Sequence, residues 1–117
     1  MVDRKRVNKR RVAEALDGVV NVDDEGNFLK DSGFASLNSR EKIVVVVLAR
    51  WVASELGLAD DAAVEVEELS NRVGVSEHSV RKYLTDVEFV DAGPRGRGHR
   101  VPDERILDAI EYIGEEV

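Results

Sequence analysis

The chain has 117 residues, with 24 acidic against 17 basic side chains for a net charge of -7, and no cysteine. That length fits one compact domain and is too short for two independent cores, while the lack of cysteine excludes a disulfide framework, a thiol nucleophile and a zinc ribbon. The longest apolar run, IVVVVLA at residues 43–49, is too short to cross a bilayer, and no signal-peptide stretch follows the basic start, so a soluble cytoplasmic protein without membrane contact is expected.

The charge is uneven. Residues 1–12 carry six Arg or Lys against one Asp, and residues 76–100 carry five against four, whereas 13–75 sum to -8 and 101–117 to -5. The cations therefore gather in an N-terminal stretch and one central segment. Arginine outnumbers lysine 12 to 5 and valine fills 20 positions. This Asp-rich, Lys-poor, Val-rich composition resembles that of proteins from halophilic archaea, their viruses and their plasmids, and implies a surface whose carboxylates are screened by molar salt. The plainer alternative is an acidic protein kept soluble by its charge.

In chain order, Asp3 to about Leu16 is mostly polar. Val12, Leu16, Val19 and Val20 fall at the spacing that stacks side chains on one helical face, so a helix with a basic first half is expected. VVNVDDEGNFL sets two short apolar pieces around turn residues and predicts a hairpin, with Gly26 free to take a positive φ. Residues 1–37 thus read as a basic helix and hairpin extension ahead of a main domain spanning 38–117.

LNSREKIVVVVLARWVASELGL opens on a capping box, Asn38 with Glu41 three residues on, and closes at Gly57. Its β-branched run suits a strand or a helix, and length and flanks favour the helix, buried in the core or across a subunit interface. A short strand is expected at 63–66, then a helix ending on Gly74, then a second helix capped by Ser76 with Val80, Tyr83, Leu84 and Val87 inward. FVDAGPRGRGHRVP predicts a protruding hairpin, and DERILDAIEYIGEE a last helix with Ile106, Leu107, Ile110 and Ile113 on one face.

The block VEELSNRVGVSEHSVRKYLT, residues 66–85, fits the helix-turn-helix pattern: Ser70 is small where two helices approach, Val73 and Val75 flank Gly74 in the turn, and Val80 and Tyr83 lock the second helix onto the first. With its surroundings, residues 39–114 resemble the winged helix-turn-helix superfamily. The Val-rich first helix and the N-terminal extension depart from the common winged domain and leave the subfamily open. The expected fold is mainly α with a small β-hairpin wing, plus the N-terminal helical and hairpin extension. The resemblance implies a sequence-specific DNA-binding transcription regulator, whose second helix enters the major groove while the wing touches backbone or minor groove.

On helix 76–87 the outward residues are Glu77, His78, Ser79, Arg81, Lys82 and Thr85, all able to exchange hydrogen bonds with base edges or phosphates. Arg81 is the best candidate for bidentate contact with guanine. Ser76 can cap the helix and present its amides to a phosphate. On the wing, residues 93–100, Arg95, Arg97 and Arg100 alternate with glycines that let the backbone approach a phosphate or let arginine enter a narrow minor groove. Arg4, Lys5, Arg6, Lys9, Arg10 and Arg11 form a basic arm for similar contacts. Plainer roles exist for each: Glu77 and Arg81 form an i, i+4 pair worth ~0.3 kcal/mol as helix support, and the arm also reads as a solvated tail.

His78 and His99 without cysteine make a weak metal site, and no Walker loop, dinucleotide glycine pattern, nucleophile elbow or His-Glu-x-x-His spacing occurs. Neither an enzyme nor a cofactor is expected. The expected partners are double-stranded DNA and a second copy, in a homodimer joined through the Val-rich helix, the N-terminal helix or the last helix, with recognition helices about 34 Å apart. The alternative is a winged-helix module that binds a protein partner in transcription, replication or segregation machinery through its acidic surface. In molar salt the Debye length is about 3 Å, so base readout, shape and dimerisation would have to carry DNA affinity.

Overall fold

The computed structural model describes residues 4–23, 28–59, 61–87, 89–91 and 98–114, with the backbone alone for residues 4–8. Five helices and one hairpin follow in the order α1 (Arg4–Leu16), β1 (Val20–Val22), β2 (Phe28–Lys30), α2 (Ser39–Glu55), α3 (Val66–Val73), α4 (Glu77–Asp86) and α5 (Ile106–Gly114). Short 3-10 turns precede α2 (Ser32–Ser36) and α5 (Asp103–Arg105). The mainly helical chain with a small hairpin is as the sequence predicts.

The Val-rich segment is the axis of the fold. Asn38 starts it with a full capping box: its side chain accepts from the Glu41 amide at 2.9 Å, and Glu41 Oε1 accepts from the Asn38 amide at 2.9 Å. Every residue from Ile43 to Ala49 is buried to within 2% exposure. Because seven consecutive positions span all directions around a helix, neighbours must surround α2. The cover comes from Val12 and Leu16 of α1, Val20 of the hairpin, Leu69 of α3, Val80 and Leu84 of α4, and Ile106, Ala109 and Ile113 of α5, all in one core. The extension at 1–37 therefore shares the core of the main domain.

α2 is consumed inside the chain, so it cannot be the subunit interface that its composition also allowed. Its far end is pinned by Trp51, whose indole N–H donates to Asp103 at 2.9 Å. α1 lies antiparallel to it: Lys9 reaches Glu55 at the end of α2, while Glu14 to Val19 sit by Leu37 at its start.

In the hairpin, Val20 faces Lys30 and Val22 faces Phe28. Phe28 meets Phe34 edge to face, with centroids 5.8 Å apart. Gly33 donates to the carbonyl of Gly18, and a Cβ at Gly33 would stand 2.7 Å from that oxygen, so only glycine closes this crossing. The turn containing Gly26 lies outside the described residues.

Two expectations, the strand at 63–66 and the inward face of α5, need correction. The strand at 63–66 shrinks to one bridge at Val64, because Val66 already begins α3 and buries its side chain there. Of the hairpin expected at 89–102, the described residues show two antiparallel bridges, Val64 with His99 and Asp91 with Arg100; its tip, residues 92–97, lies outside the described part. On α5, Leu107 is 42% exposed and Ala109 takes the buried place, because a helix turning 100° per residue brings 106, 109 and 113 to one side.

Leu48 is fully buried on α2. Leu48→Ala should destabilise the fold by about 2–5 kcal/mol. Urea titration followed by the emission of Trp51, the single tryptophan, measures this.

Candidate nucleic-acid interface

The α3–α4 pair is built by local chemistry. α3 ends where Gly74 takes φ 84°, ψ 30° and its amide bonds the Ser70 carbonyl at 2.9 Å. The Ser70 hydroxyl donates across the turn to the Val75 carbonyl at 2.5 Å, so the small residue at this position is a bond donor as well as a spacer. Ser76 then caps α4 by accepting from the Ser79 amide at 3.1 Å, and its hydroxyl lies 3.0 Å from that of Ser79. Leu69, Val73, Val80 and Leu84 are buried between the helices and α2, as is Val87 just past α4.

Two polar clusters fix these helices to α2. Glu68 of α3 accepts from Arg50 of α2 and, at 2.9 Å, from Arg72. Burial pushes the Glu68 carboxyl up, but the two guanidinium groups outweigh it and hold it below the usual carboxylate range. Arg40 at the start of α2 lies 5.0 Å over the Tyr83 ring and bonds Asp86 at 2.8 and 3.1 Å. Tyr83 is thereby half-buried, an inward residue held by a cation on its face.

The opposite side of α4 is open. Ser76, Glu77, His78, Arg81, Lys82 and Thr85 are exposed and Ser79 is half-exposed, so the fold gathers all seven residues singled out on this helix onto one surface. Arg81 and Glu77 approach to 3.7 Å with side chains more than half exposed, a loose pair that a competing anion can displace. The Thr85 hydroxyl donates to the Lys82 carbonyl at 2.6 Å, leaving its lone pairs free to accept.

After α4, the chain from Gly98 to Val101 runs between two backbone partners. His99 exchanges both backbone bonds with Val64 at 2.8 Å, and Arg100 does so with Asp91 at 2.8 and 3.0 Å. Arg100 is exposed at this base. Arg95 and Arg97 lie outside the described residues. His99 is buried, and burial lowers its pKa; Arg81 pushes the same way and Glu65 opposes. Sequence reasoning weighed it only as a metal ligand and missed this packing role.

The basic arm is helix, not tail, from Arg4 onward. Arg4, Lys5 and Arg6 lie on α1, and nothing is described of their side chains. Lys9 turns to Glu55 at 4.0 Å, whereas Arg10 and Arg11 are exposed. Among the described residues no hydrogen bond or ion pair joins α1 to α4. Glu55 and Arg40, the contacts of Lys9 and of Asp86, stand 15 residues apart along α2, or about 22 Å. The arm and the C-terminal end of α4 are thus held at opposite ends of α2.

Arg40, Arg50 and Arg72 were also missed, because their partners lie across the fold and nothing in local sequence marks them. The chain matches no known protein family, no curated protein and no solved structure, so geometry alone carries the reading.

A Cβ at Gly74 would meet nothing within 4 Å, so Gly74→Ala should cost about 1–2 kcal/mol by left-handed backbone strain alone, visible as a lower urea midpoint. A His held low by burial favours the fold above its unfolded value of 6.5, and a carboxyl held low does so above 4.5; both contributions are lost as pH falls through the folded values. Stability should therefore decline in steps below pH 6.5 and again below 4.5. His99→Gln should remove the upper step in a pH series of urea midpoints, and Glu68→Gln the lower one.

Proposed function

We propose that the chain is a sequence-specific DNA-binding protein of the winged helix-turn-helix type, acting as a transcription regulator. The observation that carries this reading is the two-sided α4: one face buried on α2 and α3, and the other presenting Ser76, Glu77, His78, Arg81, Lys82 and Thr85 to solvent. α4 is 10 residues long, about 15 Å, and sits at the surface as a helix that enters a major groove must. The bridges at Val64, His99, Asp91 and Arg100 give further support. They pair the returning chain with Val64 ahead of α3 and with Asp91 past α4, which is compatible with a wing carrying Arg95 and Arg97.

In this reading Arg81 donates to a guanine edge, Lys82 and Arg100 contact phosphates, and the capped amides at Ser76 face a backbone oxygen. The Glu77 carboxylate holds Arg81 until a base replaces it. A halophilic cytoplasm fits the composition, and the partners are double-stranded DNA and a second copy of the chain.

One observation favours the alternative of a winged-helix module for a protein partner. A cleft of about 400 Å³ is lined by Glu55, Asp61, Asp91, Asp103 and Glu104 against the single cation Arg100, a net acidic surface that disfavours phosphate. Its contact would be with basic protein segments of the transcription, replication or segregation machinery.

Fluorescence anisotropy with a randomised duplex pool separates the two readings. Enrichment of one sequence is expected. Arg81→Ala should lose about 1–3 kcal/mol of discrimination at one base pair. Lys82→Ala should weaken all duplexes alike and reduce the salt slope by about 0.9. If wild type retains no duplex at any salt where it is folded, the DNA reading fails.

A further inference from the structure

On α4, which opens at Glu77 behind the Ser76 cap, several polar side chains are already engaged. The Ser76 hydroxyl accepts from the Ser79 amide and lies 3.0 Å from the Ser79 hydroxyl, and that of Thr85 donates to the Lys82 carbonyl. The helix carries two carboxylates, Glu77 and Asp86. Asp86 at its end is held by Arg40 of α2, which leaves Glu77 on the open face. Among the described residues, the ion-pair partner of Glu77 is Arg81 one turn on, at 3.7 Å, with side chains 51% and 65% exposed.

A carboxylate on a surface that meets DNA is unfavourable unless a base rewards it. Every phosphate repels it, and in the major groove only the amino groups of cytosine and adenine donate to it. An ionised carboxylate accepts and cannot donate. Adenine sets its N7 acceptor beside the amino group and so suits an amide side chain, whereas cytosine offers its N4 amino group without that acceptor. Across a G·C pair, cytosine N4 is hydrogen-bonded to guanine O6, which places the two atoms about 2.9 Å apart. Arg81 and Glu77, at 3.7 Å, present a donor head and an acceptor head at a similar separation.

We infer that Glu77 and Arg81 read one G·C base pair as a unit. The guanidinium donates to guanine N7 and O6, and the carboxylate, released by it, accepts from cytosine N4. This rests on the DNA-binding reading above and names the base pair that its surface selects. With Arg81 at the first base and Glu77 at the second, A·T and C·G pairs set donor against donor and acceptor against acceptor. T·A keeps one contact of each kind and loses the second guanidinium bond. The unit therefore fixes the direction of the pair as well as its identity, which an arginine alone does less sharply. Glu77 acts through selection: it weakens contact with DNA in general and strengthens contact with one pair.

The test titrates the full chain against the duplex enriched from the random pool, at the lowest salt that keeps the fold. The pair whose preference is lost in Arg81→Ala is replaced in turn by each other pair, and by guanine opposite N4-methylcytosine, which puts a methyl group on the amino group being read. Wild type should prefer G·C there, then T·A, and the methyl group should weaken it at least about fivefold. Glu77→Ala should bind methylated and unmethylated duplexes alike, and should lose affinity for the G·C duplex relative to a shuffled one. Circular dichroism establishes that the variant is folded, and a role confined to the start of the helix would leave base preference unmoved. A preferred pair other than G·C, or a methyl effect that persists in Glu77→Ala, would overturn the inference. So would a variant that tightens on enriched and shuffled duplexes by the same factor, the mark of a carboxylate that only repels phosphate. In each of these cases wild type still binds its duplex and the DNA reading stands; a wild type that retains no duplex at any salt ends that reading and this inference together.

Discussion

A helix buried through seven successive residues, Ile43 to Ala49, has no solvent side along that stretch. A typical surface helix hides a stripe and leaves the rest wet; α2 instead requires cover in every direction at once. This requirement accounts for the N-terminal extension. α3 and α4 shield one part of α2, α5 another, and the remaining arc would face water without α1 and the hairpin, whose Val12, Leu16, Val20 and Phe34 complete the core. The extension is best understood as the missing wall of a barrel of neighbours around one helix. Deleting it would expose contiguous valine surface, far larger than the isolated apolar residues that folded chains tolerate.

Sequence patterns revealed what depends on near neighbours. The capping box at Asn38, the left-handed cap at Gly74, the N-cap at Ser76 and the inward stripe of α4 all follow from residues within one or two turns, and each is present in the structure. What depends on distant partners stayed hidden. Arg40 and Asp86 are 46 residues apart, Trp51 and Asp103 are 52 apart, and Arg50 and Glu68 are 18 apart; no spacing rule links such pairs. Leu107 was misread for a related reason: leucine suits a core stripe, but the rotation of α5 was set by packing against α1 and α2, which favoured the small Ala109.

The same limit applied to the cations. In the sequence, an arginine in a helix is equally a groove reader, a clamp or a solubility group. Folding sorts them. Arg50 and Arg72 converge on Glu68, Arg40 clamps α4, Arg105 bonds Asp108, and Lys30 and Lys42 lie over the Phe34 ring, whereas Lys82 and Arg10 extend into solvent. In a chain with this excess of carboxylates, cations held in close contact are spent on architecture. Among the described residues, the exposed cations outside such contacts are accordingly few: Arg10 and Arg11 on α1, Lys82 and the loosely paired Arg81 on α4, and Arg100.

The valine run has one more consequence. Four identical side chains in a row make the flank of α2 nearly the same after a rotation of 100° or a slide of one residue, so hydrophobic burial alone barely distinguishes neighbouring alignments. Polar contacts have to index the helix, as marks on a smooth shaft do. Asn38 and Glu41 set where it begins, Arg40 and Arg50 set which sides face α4 and α3, and the Trp51 N–H fixes the far end against Asp103. Arg40 bonds Asp86 at the end of α4, so the same polar marks that index α2 also register α4 on it, while Val80 and Leu84 supply its apolar seat.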